Sequence, residues 1–138
     1  MSARFEVIEH EGVRFAELIW ADASVEQSKF FSPAESSFQF GLLARPTGFI
    51  EAAHYHKPIE RKISDLQQMF VVQRGAVAVA FFDRAGAQFR EVVLRTGDAI
   101  NLVHGTHSIR VIENLQAISV KQGPFFGDEN DKIEIGRK

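Results

Sequence analysis

The chain of 138 residues is long enough for one domain with a single core, and its apolar fraction of 45% and charged fraction of 25% are those of an ordinary globular protein. A formal net charge of −2 argues against nucleic-acid binders and proteins of anionic membrane surfaces, which normally carry a basic excess. The absence of cysteine excludes disulfides, thiolate nucleophiles and cysteine-ligated metal sites. With no apolar leader and no run of membrane-spanning length, the sequence predicts a cytoplasmic protein.

The first part of the chain predicts a β-hairpin over residues 4–20, where two alternating segments flank a turn at His10–Gly12. A loop rich in Ser, Ala and Glu follows over 21–37, and then a strand over 38–43. The composition includes thirteen phenylalanines against one tyrosine and one tryptophan. Because phenylalanine favours strands and dry interiors, this excess indicates a β protein with an apolar cavity or interface.

The centre of the chain is dominated by two histidines one residue apart, His54 and His56. They lie in a strand predicted over Phe49–His56, after a turn at 45–48 and before a charged stretch over 57–65. Side chains two residues apart in a strand share a face, so the two imidazoles are expected side by side. Two weak bases in that position need a shared partner, which is a metal ion, an anionic substrate or a water cluster.

The rest of the chain predicts short strands separated by turn residues. They are expected over residues 67–73, 76–82, 89–94, 99–103, 107–112 and 115–121. A tight turn at Arg74–Gly75 is predicted between the first two, an acidic loop covers 122–132, and a short last strand covers 133–135. Regularly spaced turns and no long helix predict an all-β sandwich or barrel.

The spacing of glycines and histidines carries a resemblance. Gly48 is followed by five residues and then His54-x-His56, and Gly97 by five residues and then Val103-His104-Gly105. This order resembles the two motifs of the cupin superfamily, with valine where the second motif has proline, and covers about residues 48–111. The resemblance implies a single all-β cupin domain over 1–138, a double-stranded β-helix or jelly-roll barrel, with the hairpin 4–20 and an acidic segment 122–138 flanking its core.

The resemblance also implies metal ligands, and this sequence departs from the family there. Gln68 stands where the family places a glutamate, six residues before Gly75, while Glu60 has the short spacing from His56 but lies in the charged loop. His107 is favoured over His104 as the third histidine, and Val111 replaces the closing asparagine of the second motif. The implied metal ligands are His54, His56, Gln68 and His107. An amide is a weaker ligand than a carboxylate, so zinc, nickel, iron or manganese would bind weakly, or no metal would be held.

Three functions stay open from the sequence. The first is a metal-binding small cupin that binds or acts on a small polar ligand, most simply a carbohydrate. The second is a metal-free isomerase or epimerase of keto-sugars on nucleotide carriers, in which His54 and His56 act as acid and base. The third is a non-catalytic sugar- or metal-binding module, suggested by the likeness of residues 121–133 to cupins of polysaccharide biosynthesis. The resemblance further implies a homodimer, and neither a nucleic-acid nor a membrane partner is expected.

Overall fold

A computed structural model describes residues 4–135 of the chain. It contains eight strands and one four-residue helix, so the expected all-β class is confirmed. The strands are β1 (Phe5–His10), β2 (Val13–Ile19), β3 (Lys29–Phe30), β4 (Gly41–Leu42), β5 (Gln68–Phe82), β6 (Gln88–Arg95), β7 (Ala99–Leu102) and β8 (Thr106–Lys121), followed by the helix α1 (Asp128–Asp131). Among the described residues, no helix is long and apolar enough to cross a membrane.

Six of the strands form one antiparallel sheet that is organised around β5. Along one side of β5, its first residues pair with β7 and its last residues pair with β6. The other side of β5 pairs with β8 over almost its whole length. The hairpin β1–β2 joins the sheet at β7, and β3 and β4 form a separate two-stranded ladder. The sheet curls into a half-barrel, which sets an inner face against an outer face.

The two faces follow from the period of two along each strand. On β5, Phe70 and Val79 belong to a buried cluster on the inner face, where the aromatic rings of Phe15 and Phe81 meet edge to face at 6.4 Å. The neighbouring Met69 and Val71 point outward, where they pack against a second cluster built on Ile19, Phe40 and Ala99. Both faces of the sheet centre are therefore covered, the outer one by the segment that carries β3 and β4.

Some strand predictions need correction. The expected turn at Arg74–Gly75 is a bulge inside the single long strand β5, and the expected break near residue 113 is likewise a bulge inside β8. Gly75 has φ of +92°, a conformation that serves a bulge as well as a turn, so the glycine alone could not distinguish them. The hairpin over 4–20 is confirmed, with Glu11 and Gly12 at positive φ in its turn.

The strand predicted over Phe49–His56 is absent, and residues 43–67 contain no strand at all. Residues 45–66 of this segment are exposed and have no ladder partner, so their backbone gains nothing from an extended pairing. The strand expected over 38–43 shrinks to Gly41–Leu42, and that expected over 133–135 does not form. The remaining predicted strands after residue 88 are present within one or two residues.

Candidate functional site

The two central histidines lie next to each other on an exposed loop. The ring centroids of His54 and His56 are 5.4 Å apart, with the ring planes at 66°. The Nδ1 of His54 lies 2.8 Å from the carbonyl oxygen of Ala52, and its Nε2 lies 3.7 Å from a carboxylate oxygen of Glu51. In the tautomer that donates from Nδ1 to this carbonyl, the lone pair of Nε2 is free to accept a proton or a metal ion.

The third predicted ligand, His107, lies at the start of β8 and pairs with Phe81 of β5. Residues directly opposite in an antiparallel ladder share a face. His107 therefore lies on the inner face, as do Ile109 and Val111, which pair with the buried Val79 and Val77. Unlike these partners, all three residues of β8 are exposed, so the inner face is open along this strand.

The environment of His107 alters its protonation. Desolvation by neighbouring atoms lowers the pKa of its imidazole below the usual 6.5, and the positive charge of Lys132 acts in the same direction. A hydrogen bond with the backbone of Gly105 opposes them by favouring the protonated ring. The imidazole is therefore neutral at neutral pH, which is the form that binds metal ions.

The lowered pKa of His107 predicts a pH-dependent contribution to stability. As pH falls through about 6.5, the unfolded chain takes up the proton before the folded chain does, so the free energy of unfolding decreases. We expect His107→Gln to lose less stability than the wild type between about pH 7.5 and 5, as measured by urea unfolding. A stability difference between the two proteins that does not change with pH would contradict this assignment.

Gln68 and His107 are not brought together. Gln68 pairs with Lys121 at one end of the ladder between β5 and β8, whereas His107 pairs with Phe81 at the other end. Gln68 lies on the inner face, two residues before the buried Phe70, but its amide nitrogen donates to the hydroxyl of Ser119 at 2.9 Å. This arrangement therefore does not place Gln68 and His107 close enough to bind the same metal ion.

The alternative third histidine, His104, occupies a different place. Its side chain lines a cavity of about 370 Å³ at the rim of the half-barrel, together with His10 and Asp83. Within residues 4–135, no group of three or more His, Cys, Asp or Glu side chains is placed to hold a metal ion. The paired histidines and either candidate third histidine are thus separate in this conformation, and the metal-ligand set stays a prediction.

Sequence reasoning missed a row of buried polar side chains on the outer face. Glu17 of β2 and Asn101 of β7 pair across the ladder, and neither has any exposed surface. The amide nitrogen of Asn101 donates to Glu17 at 2.9 Å and to the side-chain oxygen of Gln67 at 3.0 Å. Glu17 also accepts from the hydroxyl of Ser32 at 2.9 Å and forms an ion pair with Arg14 at 2.8 Å.

The row continues to the end of β8. The backbone nitrogen of Gln67 donates to the side-chain oxygen of Gln122 at 2.7 Å. Two buried atoms in the row have no hydrogen-bond partner among the described residues, namely Oδ1 of Asn101 and Nε2 of Gln122. The only sequence signal was the polar Asn101 inside the apolar run Ala99–Val103, because Glu17 alternates like a solvent-facing residue.

Comparisons of the chain with protein-family models, with curated proteins and with solved structures found no match.

Proposed function

We propose that the chain is a cupin-like protein that binds one divalent metal ion through His54, His56 and His107 and uses it to bind a small polar ligand, most simply a carbohydrate. The observation that carries this proposal is the opening along β8. His107, Ile109 and Val111 continue the inner face of the buried core, yet all three stay partly exposed, Ile109 and Val111 by about half. A cover for this surface has to come from a segment that is itself unpaired.

The exposed segment over residues 49–66 fits that requirement. It contains the large apolar residues Phe49, Ile50, Ile59 and Ile63, each about half exposed or more. Transfer of such side chains onto apolar surface is favourable, at roughly 25 cal/mol for each Å² removed from water. The segment enters β5 at Gln68, so it is tethered at one end of the ladder between β5 and β8.

The reach of the segment matches the position of His107. Phe81, the partner of His107, lies thirteen residues after Gln68, while His54 and His56 lie fourteen and twelve residues before it. At about 3.3 Å per extended residue, both paths are about 43 Å long. A segment that folds back along β8 therefore brings the histidine pair level with His107, and leaves Gln68 at the far end of the strand.

The donor set of this chain suits a borderline divalent ion. Three imidazoles bind zinc, nickel or iron in their neutral form, and the lowered pKa of His107 favours that form. The backbone carbonyl of Ala52 orients the ring of His54, as second-layer contacts do for ligating histidines. When bound, the ion would supply Lewis acidity toward a carbonyl or hydroxyl oxygen of the ligand.

Metal binding tests the proposal directly. We expect calorimetry with zinc to give one site for each chain, and His54→Ala, His56→Ala and His107→Ala each to weaken binding at least tenfold. His10→Ala is the control for loss of an imidazole: His10 stacks on Phe89 and lines the cavity of His104, so this variant should leave the affinity unchanged when His107 is the third ligand. If His104→Ala weakens zinc binding and His107→Ala does not, then His104 is the third ligand instead of His107. An unchanged affinity in all of these variants would refute the site.

The closure of the segment can be measured separately because the chain has no native cysteine. Spin labels on Ala53→Cys and Ser108→Cys report the distance between the histidine loop and the start of β8. We expect addition of zinc to shorten this distance, and His107→Ala to abolish the shortening. A distance that is insensitive to zinc in a protein that binds zinc would mean that the ion is held without closure.

The acid–base alternative is favoured by one observation, the orientation of His54. With its Nδ1 held by the carbonyl of Ala52, the ring presents a single basic nitrogen, as a proton shuttle requires. In this case solvent deuterium would exchange into a keto-sugar in a chelator-treated protein, and His56→Asn would stop the exchange. Exchange that depends on added metal would instead support the metal-binding function.

A further inference from the structure

The cavity that contains His104 lies where three turns meet at the rim of the half-barrel. Its volume is about 370 Å³, within the range of roughly 300–1,000 Å³ that is common for small-molecule sites. The turns are those that follow β1, β5 and β7, and their polar side chains at the cavity include His10, Glu11, Asp83 and Arg84. Loops positioned by a rigid sheet often carry binding residues, so the hydrogen-bonding state of each of these groups indicates what the cavity can bind.

The register of β5 and β8 brings two of the turns face to face. The last pair of this antiparallel ladder is Phe82 with Thr106. Arg84 follows Phe82 by two residues and His104 precedes Thr106 by two, so the same register sets Arg84 opposite His104. All four residues line the cavity. The guanidinium, the imidazole and the hydroxyl of Thr106 therefore border one space.

These three groups are hydrogen-bond donors without acceptors. Among residues 4–135, the side chains of Arg84, His104 and Thr106 have neither a hydrogen-bond partner nor an ion-pair partner. The guanidinium carries a permanent positive charge and five N–H groups, a neutral imidazole has one N–H group, and a hydroxyl has one O–H group. The free hydrogen-bonding capacity at the cavity therefore suits a ligand that accepts hydrogen bonds and carries negative charge.

The two carboxylates at the cavity already have surroundings that satisfy them. An oxygen of Asp83 accepts the backbone amides of Ala85 and Ala87, each at 2.9 Å, and so closes its own turn. The side chain of Glu11 is 84% exposed to water and lies 3.9 Å from the imidazole of His10. Neither carboxylate needs a ligand, but their charges repel an anion, and they repel a dianion more strongly than a monoanion.

The floor of the cavity is aromatic. Phe15 and Phe82 line it, and the ring of Phe15 meets that of Phe89 at 5.0 Å, edge to face. Gly105 has φ of +84°, and a Cβ at this position would overlap the ring of Phe15. Glycine therefore lets the backbone before β8 lie against this ring. A flat apolar group packs well on such a floor.

We propose that this cavity binds a small monocarboxylate with a flat apolar body, such as an aromatic acid. The planar fork of the Arg84 guanidinium matches the two oxygens of a carboxylate, and these charge-assisted bonds are about twice as strong as bonds between neutral groups. Thr106 and His104 donate to the same carboxylate from the start of β8 and from the facing turn. The apolar body lies over Phe15 and Phe82.

Three phenyl compounds test the proposal on the full-length protein at neutral pH. The monoanion 3-phenylpropionate, the neutral 3-phenylpropanamide and the dianion phenyl phosphate are titrated into ¹⁵N-labelled protein and followed by NMR. We expect 3-phenylpropionate to bind at least about tenfold more tightly than either of the others, and to shift the backbone amide signals of Arg84, Gly105 and Thr106. An amide that binds as tightly as the acid would overturn the proposal, as would tighter binding of phenyl phosphate or no binding of the acid.

Two arginine variants locate the carboxylate. Arg84→Gln removes the guanidinium from an exposed turn, and should weaken binding of 3-phenylpropionate at least about tenfold while leaving that of the amide nearly unchanged. Arg95→Gln is the matched control, because Arg95 is exposed, lies at the far end of β6 and does not line the cavity. If the two variants weaken binding equally, the acid responds only to the net charge of the protein, and the proposal fails.

The carboxylate site and the proposed metal site can be tested separately. The titrations use protein that has been treated with chelator and dialysed, and they are repeated with zinc. We expect the affinity for 3-phenylpropionate to be the same in both, because Arg84 and Thr106 need no metal ion to bind a carboxylate. Binding that requires zinc would mean that the acid is bound by the ion, and would overturn the carboxylate site without affecting the metal-binding proposal.

Discussion

Gly75→Ala is expected to destabilise the protein by about 3 kcal/mol or more. Gly75 has φ of +92°, and a Cβ at this position would lie 2.1 Å from the carbonyl oxygen of Asn114 on β8. The conformation and the overlap each cost about 1–3 kcal/mol, and the clashing atom is backbone that cannot rotate away. The ladder between β5 and β8 would have to open at its bulge, which urea unfolding would detect as a lower midpoint.

Gly86→Ala is the control that separates these two costs. Gly86 has φ of +85°, close to that of Gly75, but a Cβ there would meet no atom within 4 Å. The free energy of unfolding of this variant should fall only by the cost of the backbone conformation, which is about 1–2 kcal/mol for a residue in the left-handed region. Equal losses in the two variants would show that the contact between Gly75 and β8 contributes nothing.

Glu17→Ala is expected to cost about 3 kcal/mol. The substitution removes the acceptor used by Asn101 and by Ser32, and it leaves the guanidinium of Arg14 without its carboxylate in a partly buried position. Removing one member of a buried ion pair costs about 3–5 kcal/mol, and the partial exposure of Arg14 places this case at the lower end. The measurement is again the free energy of unfolding in urea.

Glu91→Ala provides the comparison on the surface. Glu91 pairs with Arg110 at 3.3 Å, but both side chains are exposed to water. Exposed ion pairs contribute about 0–1 kcal/mol, so this variant should stay close to the wild type. A loss in Glu17→Ala as small as that in Glu91→Ala would mean that the buried polar row does not hold the outer face together.

The sequence was informative wherever a local pattern and a local turn agreed. The hairpin at the N-terminus was predictable because Glu11 and Gly12 adopt the positive φ that such a turn needs, between two alternating segments. The face of Gln68 and that of His107 were also predictable from alternation. Their separation was not, because it depends on the long pairing between β5 and β8, which spans residues distant in the chain.

The errors share a physical origin in tertiary context. Gly75 was interpreted as a turn because a glycine at positive φ supports a turn and a bulge equally well, and only the continuation of β8 beside it decides between them. Glu17 was missed as a buried residue because alternation defines two faces without saying which of them is covered. The segment with β3 and β4 covers the outer face, and this buries a carboxylate that the pattern assigns to the surface.

The long strand β8 has a consequence for self-association. Within residues 4–135 its only ladder partner is β5, so one edge offers a run of free amide and carbonyl groups beside the exposed Ile112, Ile118 and Val120. The charged side chains of Arg110 and Glu113 lie on the same strand and oppose indiscriminate edge-to-edge docking. The screening length is about 10 Å at 0.1 M salt, and it becomes shorter as the ionic strength rises. Higher ionic strength therefore weakens the repulsion between these charges on two molecules, and it favours edge-to-edge pairing of β8 between molecules.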